Sequence, residues 1–172
     1  YNRQYSTRFV GVMPTNLYGP GDNFHPENSH VLPALLRRFH EAKQSNAPVV
    51  TIWGSGTPKR EFLFVDDMAE GCLHILDLPE NILTSELCKY PRPNFVNLGS
   101  GADITIRELA EIIRDIVGYK GKLMFDQSKP DGTPRKVLDI SRLANLGWTA
   151  KTQLRDGINT TYEWYQRNSW KL

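Results

Sequence analysis

The chain has 172 residues, of which 40% are hydrophobic and 23% are charged, and its formal net charge is +2. This composition indicates a globular protein with a core of its own, and the near-neutral charge favours no nucleic-acid partner. No apolar run approaches the roughly 20 residues that span a bilayer, so no membrane association is expected.

The two cysteines, Cys72 and Cys88, lie in unrelated contexts without metal-ligand spacing. A disulfide framework and a metal site are therefore not expected, and the sequence favours a reducing, cytoplasmic environment. No secretory signal is recognisable. The chain begins at Tyr1 without a start methionine or a helix cap, which indicates a segment of a longer protein.

The first half of the chain predicts two strand–helix pairs. Residues 8–15 carry an apolar run typical of a buried strand in a parallel sheet, and the turn formers of residues 16–29 predict a loop. Asn28 or Ser29 is expected to cap a helix over residues 30–44. Residues 49–53 and 61–65 predict strands, and Asp66 or Asp67 is expected to cap a helix that continues to residue 78. The apolar positions that face inward on these helices are predicted to be Leu32, Leu35, Leu36 and Phe39, then Met68, Cys72, Ile75 and Leu76.

The second half continues the alternation. Residues 79–93 predict a loop, residues 95–98 a strand, and Thr105 with Glu108 a capping box for a helix that ends at Gly118. A strand over residues 123–125, a polar loop over residues 129–136, and helices over residues 141–146 and 154–168 follow. Strands that alternate with helices predict an α/β fold.

Two short segments each contain a pair of glycines separated by a serine. The segments Gly54-Ser55-Gly56 and Gly99-Ser100-Gly101 look like phosphate loops. Neither fits the G-x-G-x-x-G pattern that opens a helix after a strand, so ordinary turns account for them as well. The chain also contains no Tyr-x-x-x-Lys pair.

Basic residues occur near helix ends and in turn-rich loops, at Arg37-Arg38, Lys59-Arg60, Arg107 and Arg135-Lys136. Each alone is typical of a solvated surface, but guanidinium groups also match phosphate oxygens bidentately. Trp53 precedes Arg60 by seven residues, and an aromatic ring beside cationic loops is typical of a nucleotide-diphosphate pocket. Spacing alone leaves Trp53 open as a core aromatic.

His30 is predicted at a helix start, where the helix dipole disfavours the imidazolium and favours a group that exchanges protons near neutrality. A lone histidine is more often structural. Successive helical residues are about 100° apart, which places Arg37 on nearly the same side of the helix as His30 and Arg38 about 80° further around the axis. Periodicity therefore does not decide which arginine shares a pocket with His30.

Several segments resemble the GDP-L-fucose synthase family of extended short-chain dehydrogenases/reductases. They are Pro14-Thr15-Asn16-Leu17-Tyr18-Gly19-Pro20, Asp22-Asn23-Phe24, Asn28-Ser29-His30-Val31, Trp53-Gly54-Ser55-Gly56-Thr57-Pro58, Arg60-Glu61-Phe62, Val65-Asp66-Asp67-Met68 and Lys129-Pro130-Asp131-Gly132-Thr133-Pro134-Arg135-Lys136. The resemblance covers nearly the whole chain and weakens across residues 81–93. The Arg-Glu-Phe and Val-Asp-Asp segments are shared more widely among the extended enzymes.

The resemblance implies an α/β fold made of the last strands of a Rossmann domain and a smaller C-terminal substrate-binding domain. The Rossmann part would be residues 1–29 with interleaved strands, and the GDP-sugar domain residues 30–172. It implies an NADP(H)-dependent oxidoreductase and isomerase that epimerises C3 and C5 of GDP-4-keto-6-deoxy-D-mannose and then reduces C4. It also implies a homodimer.

Site residues carry over by the same resemblance. The catalytic acid/base matches His30, and cofactor contacts match Pro14, Thr15, Asn16, Leu17 and His30. GDP-sugar contacts match Arg38, Trp53, Arg60, Asp131 and Lys136. Only the resemblance favours Arg38 over Arg37.

The chain lacks some of the catalytic residues that the family uses. The family's second proton carrier, a cysteine, matches neither Cys72 nor Cys88, and the tyrosine–lysine pair of the hydride step is absent. The chain alone is therefore expected to be inactive. The alternatives are another nucleotide-sugar epimerase or dehydratase of the same superfamily, and an inert nucleotide-sugar-binding fragment.

Overall fold

A computed structural model describes residues 1–168 of the chain, which divide into two compact units. The first unit contains Tyr1–Leu17, Glu61–Ala102 and Val137–Lys151, and the second contains Tyr18–Arg60, Asp103–Lys136 and the residues from Thr152 onward. Each unit therefore draws on three separate stretches of sequence. The domain boundary expected near residue 30 stays a prediction.

The first unit is built around a pair of parallel strands. Its elements are α1 (Asn2–Tyr5), β1 (Gly11–Pro14), α3 (Val65–Leu76), α4 (Glu80–Ile82), a π-helix (Leu83–Cys88), β5 (Phe95–Leu98) and α6 (Ser141–Asn145). Strands β1 and β5 are parallel, with Gly11 opposite Phe95 and Pro14 opposite Leu98. One buried cluster forms the core, and it consists of Leu63, Ile75, Leu87, Val96, Leu98, Leu143 and Trp148.

The second unit packs helices beside a further strand pair and part of a four-stranded sheet. Its elements are α2 (Val31–Gln44), β3 (Val49–Trp53), β6 (Asp103–Thr105), α5 (Ile106–Val117), β7 (Lys122–Asp126), β8 (Arg135–Lys136) and α7 (Leu154–Asn168). Strand β3 is parallel to β7, and helix α5 packs against both α2 and α7. Buried residues on the three helices include Leu36, Phe39, Leu109, Ile113, Ile158 and Tyr162. Two strands, β2 (Asn16–Tyr18) and β4 (Lys59–Phe64), each contain residues of both units.

The α/β class and the main helices predicted from sequence are confirmed. Helix α2 buries Leu32, Leu35, Leu36 and Phe39, and the capping box of Thr105 and Glu108 is present at the start of α5. Gly118 ends that helix in the left-handed conformation. The predicted strands 49–53 and 95–98 have the predicted bounds.

Both predicted helix caps in the first half are wrong. Helix α2 is preceded by His30 rather than Asn28 or Ser29, because the Asn23 amide holds the Asn28 carbonyl within the preceding loop. Strand β4 runs directly into α3, so the extended residue Phe64 precedes the helix. Asp66 and Asp67 consequently lie in its first turn, where carboxylates interact favourably with the helix dipole.

Three predictions about burial and loops are also wrong. Leu76 is exposed, because it lies in the last turn of α3. Residues 79–93 are not a loop throughout, since α4 and the π-helix occupy residues 80–88 and place Leu87 in the core. Strands β2 and β8 lie in segments that were predicted to be loops, and β6 was not predicted at all.

The first predicted strand is shorter and less buried than expected. Strand β1 covers only Gly11–Pro14, and Phe9 and Met13 are 62% and 54% exposed. Val10 and Val12 pack against the core of the first unit. One face of β1 is thus covered within the chain while the other is open. No helix among residues 1–168 has the length and apolarity required to cross a bilayer.

Candidate functional site

The second unit contains a cavity of about 640 Å³, within the range of roughly 300–1,000 Å³ that is common for small-molecule sites. It forms where α2, the end of β3 and the 130–132 loop come together. The lining residues that bear on function are Ser29, Val31, Arg38, Trp53, Arg60 and Asp131. Two guanidinium groups, an aromatic ring and a carboxylate therefore share one concavity.

Trp53 is the aromatic wall of this cavity. It is the last residue of β3, lies opposite Asp126 of β7, and is 66% exposed. The Lys129 ammonium lies 5.7 Å from the centre of its ring, within the range of a cation–π contact. Trp53 is therefore not a core aromatic, which decides the alternative that spacing left open.

The Gly54-Ser55-Gly56 segment is a turn whose glycines are required by geometry. Gly54 and Gly56 have φ values of 81° and 79°, in the left-handed region. A Cβ on Gly54 would lie 2.2 Å from Asp131 Oδ1, and one on Gly56 would lie 2.4 Å from the Phe125 ring. Turn chemistry and close approach thus explain this pair of glycines.

Asp131 closes this turn against the 129–132 loop. Its Oδ1 accepts a hydrogen bond from the Ser55 backbone N–H at 2.9 Å, and its Oδ2 accepts one from the Ser55 hydroxyl at 2.7 Å. These bonds, with the side-chain bond as the larger effect, lower the pKa of the Asp131 carboxyl. Asp131 is therefore an ionised clamp at the rim of the cavity.

Arg60 is held by one of its terminal nitrogens. Nη1 donates to the carbonyl oxygens of Thr133 at 2.6 Å and Lys59 at 2.7 Å. Nη2 lies 3.0 Å from the position that a Cβ on Gly132 would take. The guanidinium is thus fixed beside Gly132 at the cavity wall.

The structure distinguishes Arg38 from Arg37. Arg38 lines the cavity, and its Nη1 lies 3.5 Å from the Thr51 carbonyl oxygen. Arg37 is not among the lining residues and forms an ion pair with Glu41 at 2.8 Å. Of the two arginines that helical periodicity left open, only Arg38 lies at the cavity.

His30 lies between two residues that line the cavity. Ser29 and Val31 on either side of it line the cavity, whereas His30 itself is exposed and is not among the lining residues. Lys136 is likewise not a lining residue; it is exposed on β8 opposite Arg60 of β4. Of the predicted site residues of the second unit, Arg38, Trp53, Arg60 and Asp131 therefore line the cavity, whereas His30 and Lys136 do not.

Four of the five residues expected to contact the cofactor, Pro14, Thr15, Asn16 and Leu17, lie in the first unit, whereas His30 lies in the second. The Thr15 hydroxyl and the Asn16 amide donate to the Glu61 carbonyl oxygen at 3.3 and 2.8 Å, and Leu17 packs against the core. Pro14 ends β1, at the carboxyl edge of the parallel pair with β5. This edge is where open α/β sheets bind their ligands.

Sequence reasoning singled out Arg107 only as a basic residue, and it assigned neither Arg107 nor Lys129 nor Ser55 to the site. Arg107 lies 3.8 Å from the centre of the Phe125 ring and donates to the Ser55 carbonyl oxygen at 2.9 Å. Lys129 covers the Trp53 ring, and Ser55 anchors Asp131. The available signal was compositional: a Gly-Ser-Gly turn and a Pro-Asp-Gly turn, each rich in small or polar residues.

Comparison with known proteins decides the family. Residues 1–99 match the NAD dependent epimerase/dehydratase family. The chain belongs to this family.

The relatives within the family are similar over almost the whole chain. GDP-L-fucose synthase of Escherichia coli K12 is 56% identical over 168 residues, which is 98% of this chain and 52% of that protein. The crystal structure of a GDP-D-glycero-L-gluco-heptose synthase from Campylobacter jejuni, determined with NADPH, has a TM-score of 0.84 at 35% identity. It matches 96% of this chain and 56% of its own.

A GDP-L-fucose synthetase from Naegleria fowleri bound to NADP has a TM-score of 0.79 at 31% identity, over 94% of this chain and 48% of its own. The chain thus spans about half the length of the curated relatives it matches. Its α/β architecture is that of the extended epimerases and reductases of this family.

Proposed function

We propose that the chain is part of a GDP-L-fucose synthase. The complete protein would convert GDP-4-keto-6-deoxy-D-mannose to GDP-L-fucose by 3,5-epimerisation and NADPH-dependent reduction at C4. The observation that carries the proposal is the cavity of the second unit, which brings Arg38 and Arg60 together with Trp53 and Asp131. The 56% identity to the Escherichia coli enzyme supports the choice of sugar nucleotide.

The cavity residues suit a nucleoside diphosphate. Guanidinium groups bind phosphate oxygens through paired N–H donors, and an exposed aromatic face stacks on a base or a sugar. Arg38 and Arg60 would hold the diphosphate, and Trp53 would pack against an apolar face of the ligand. Both carboxylate oxygens of Asp131 already accept hydrogen bonds from Ser55, so Asp131 would act mainly by holding this wall of the cavity in place.

The residues present also fit the nicotinamide end of NADP(H). Pro14 is exposed at the carboxyl edge of the β1–β5 pair, and Thr15 and Asn16 are anchored on Glu61. The backbone of residues 14–17 would therefore offer a fixed surface for the nicotinamide ring. The cofactor, when bound, supplies the hydride for reduction of the C4 ketone.

Epimerisation requires proton carriers rather than a metal. The C4 ketone acidifies the neighbouring C–H bonds at C3 and C5, and its oxygen takes up the electron pair as an enolate. A base removes the proton on one face of the ring, and an acid returns one on the other face, which inverts the centre. His30, exposed beside the cavity, would be one of these carriers.

Binding by the chain itself tests the nucleotide assignment. We expect isothermal titration calorimetry to show micromolar binding of GDP or GDP-mannose, with UDP and dTDP markedly weaker. Arg60→Ala should weaken GDP binding by a few kcal/mol, since it removes a charged hydrogen-bonding partner. Equal affinity of the wild-type chain for GDP and UDP would instead favour another nucleotide-sugar enzyme.

The role of His30 needs the complete protein. His30→Gln should lower epimerisation about 10²-fold or more, while the affinity for GDP-sugar stays near that of the wild type. Proton exchange into the sugar from deuterated water, followed by NMR, measures this step separately from reduction. Unchanged exchange in the variant would remove His30 from the mechanism.

A related GDP-sugar is the second candidate substrate. The Campylobacter jejuni structure at 35% identity is named as a GDP-heptose synthase, and it shares the GDP group but not the 6-deoxy sugar. Turnover of a GDP-4-keto-heptose in preference to the 6-deoxy substrate would select this alternative. We also propose, from the family resemblance, that the complete protein is a cytoplasmic homodimer, which light scattering and cell fractionation test.

A further inference from the structure

Glu61 is a fully buried acidic residue whose side chain has no part in the mechanism described so far. It lies in β4 and is 0% exposed. A carboxylate is costly to bury unless hydrogen bonds replace the water that it loses. Its Oε1 accepts the Gly101 N–H at 2.7 Å, and its Oε2 accepts the Leu138 N–H at 2.8 Å. The side chain therefore joins two loops that are distant in the sequence.

The Gly99-Ser100-Gly101 turn is shaped around this carboxylate. A Cβ on Gly99 would lie 2.3 Å from Glu61 Oε1, and Gly101 takes a left-handed φ of 73°. Turns with such backbone conformations present N–H groups to anions. Here the chain itself supplies the anion. The second segment that looks like a phosphate loop in the sequence thus encloses an internal carboxylate.

The backbone of Glu61 holds residues 14–17, which we call the nicotinamide segment. The Glu61 carbonyl oxygen accepts the Thr15 hydroxyl at 3.3 Å and the Asn16 amide at 2.8 Å. The Thr15 N–H donates to the Leu98 carbonyl oxygen at 3.0 Å, and Leu98 directly precedes the glycine turn. The nicotinamide segment is therefore attached both to Glu61 and to the turn that its side chain holds, and all these residues belong to the first unit.

We propose that Glu61 is a positioning residue for the cofactor, whose carboxylate fixes the turn after β5 and thereby the nicotinamide segment. The inference rests on the proposed binding of NADP(H) along residues 14–17. Hydride transfer needs the nicotinamide and the ketone carbon in a closely defined geometry, and a displacement of about 1 Å can cost a large factor in rate. Glu61 would act through Thr15 and Asn16 rather than by touching the cofactor.

NMR of the unaltered 172-residue chain tests the two carboxylate contacts. Scalar couplings across the hydrogen bonds should connect the Glu61 carboxyl carbon with the amide nitrogens of Gly101 and Leu138. Both N–H groups should also exchange slowly with deuterated water, since they are buried in hydrogen bonds. The absence of both couplings in a spectrum with both amides assigned would overturn the proposal.

Glu61→Gln tests whether the carboxylate fixes the nicotinamide segment. Glutamine has the same size, but its NH2 group would face one of the two N–H donors, so one hydrogen bond is lost. The amide resonances of Thr15 and Asn16 should shift, and the Thr15 N–H should exchange about tenfold faster. Glu108→Gln is the matched control, because that carboxylate also accepts a backbone N–H, at 2.9 Å, but in the second unit. Equal changes in the two variants would contradict the proposal.

Gly99→Ala displaces the carboxylate without altering Glu61, which guards against a Glu61 variant that does not fold. The added Cβ would overlap Oε1, and the backbone at Gly99 is not left-handed, so alanine adds no conformational strain. Ser100→Ala is its control, because the Ser100 hydroxyl bonds to Ala102 in the same turn. Gly99→Ala should reproduce the changes at Thr15, and Ser100→Ala should not. Wild-type resonances of Thr15 in both variants would count against the proposal.

Kinetics of the complete protein distinguish positioning from general stability. Glu61→Gln should slow hydride transfer in a single turnover about tenfold or more and raise the KM for NADPH. Proton exchange into the sugar, which needs no hydride, should stay within about twofold of the wild type, as should the KM for the GDP-sugar. An equal fall in hydride transfer and proton exchange would show a purely structural residue.

NADPH affinity, measured by fluorescence titration without sugar, separates this inference from the proposed function. The wild-type complete protein could bind NADPH without converting the 6-deoxy sugar, while Glu61→Gln binds NADPH several-fold more weakly. The proposed function would then fail, and the positioning role would stand. Normal NADPH affinity and normal hydride transfer in Glu61→Gln of an active enzyme would overturn the inference alone.

Discussion

At the scale of single residues, the cavity depends on a bond between residues 76 positions apart in the sequence. Asp131 accepts both the backbone N–H and the hydroxyl of Ser55. The carboxylate form makes these bonds well, and the neutral acid makes them poorly. The stability of this part of the chain should therefore depend on pH.

The direction in which stability changes with pH follows from the lowered pKa of the Asp131 carboxyl. The pKa of Asp131 is lower in the folded chain than its ordinary value of about 3.9. The carboxylate therefore contributes stability above that ordinary value, and the contribution is lost as the pH falls through the folded value. Asp131→Asn should have a lower melting temperature than the wild type at pH 7, and the difference should shrink as the pH falls below about 4.

Thermal unfolding followed by circular dichroism at several pH values measures this difference. Ser55→Ala is the partner control, because it removes the hydroxyl donor and leaves the carboxylate in place. A melting difference between Asp131→Asn and the wild type that is constant from pH 7 to pH 3 would show that the ionised clamp is not the cause.

Gly132 offers a way to move Arg60 without deleting it. A Cβ at residue 132 would lie 3.0 Å from Arg60 Nη2, and a flexible guanidinium can give way at little cost in stability. Gly132→Ala should therefore weaken GDP binding by about 3- to 10-fold, or up to roughly 1.4 kcal/mol, and leave the urea midpoint nearly unchanged. Calorimetry measures the affinity. Thr133→Ala is the control, because its carbonyl still accepts from Arg60, and equal affinities of the two variants would contradict the prediction.

At the scale of elements, the turn after β3 joins the aromatic wall to β7. Gly56 takes a left-handed φ of 79° and lies against the Phe125 ring, so two separate costs oppose a side chain there. Gly21 has a similar φ of 82°, but a Cβ on it would meet no atom within 4 Å. The two glycines therefore separate backbone strain from steric clash.

Gly21→Ala should lower the free energy of unfolding by about 1–2 kcal/mol, which is the cost of the left-handed conformation. Gly56→Ala should cost roughly 1–3 kcal/mol more, since the added Cβ overlaps an aromatic ring packed beneath Arg107. Urea denaturation measures both values. Equal losses would mean that Phe125 moves aside freely.

The sequence predicted the elements whose signals are local. The four-residue spacing of Leu32, Leu36 and the intervening apolar positions predicts the buried face of α2, and Thr105 with Glu108 predicts the start of α5. The π-helix was missed because flanking prolines and polar residues suggested a loop, although Leu83 and Leu87 stand four residues apart. Strand β8 has only two residues and is set by its pairing with β4, which no local pattern reveals.

The site was predicted less completely than the elements. Trp53 and Arg60 were found because they flank a recognisable turn, and the structure places both at the cavity. Neither helical periodicity nor composition could separate Arg38 from Arg37, because the choice depends on which side of α2 faces β3. The Ser55–Asp131 clamp joins distant segments, so only the folded chain reveals it.

At the scale of the whole molecule, the β1–β5 pair has one covered face and one open face. Val10, Val12, Val96 and Leu98 face the core of the first unit. Met13 lies on the other face of β1 and Phe9 lies just before the strand, and both are exposed, as is Phe95 of β5. Since the relatives are about twice as long as this chain, we propose that a further part of the complete protein covers this apolar face.

The open face should make the isolated chain bind apolar probes. Contiguous exposed apolar patches bind hydrophobic dyes and promote association, whereas scattered single residues do not. The chain should therefore enhance the fluorescence of ANS and elute earlier from a sizing column as its concentration rises. The double variant Phe9→Ser, Met13→Gln should reduce both effects severalfold, because it removes two exposed apolar side chains from this part of the surface.

Leu76→Gln is the matched control, since Leu76 is 75% exposed but lies on α3, away from the strand pair. It should leave dye binding and elution as in the wild type. In the complete protein the face would be covered, so the wild type should bind little dye and the double variant should instead lower its melting temperature. Dye binding by the complete protein as strong as that of the isolated chain would show that nothing covers this face.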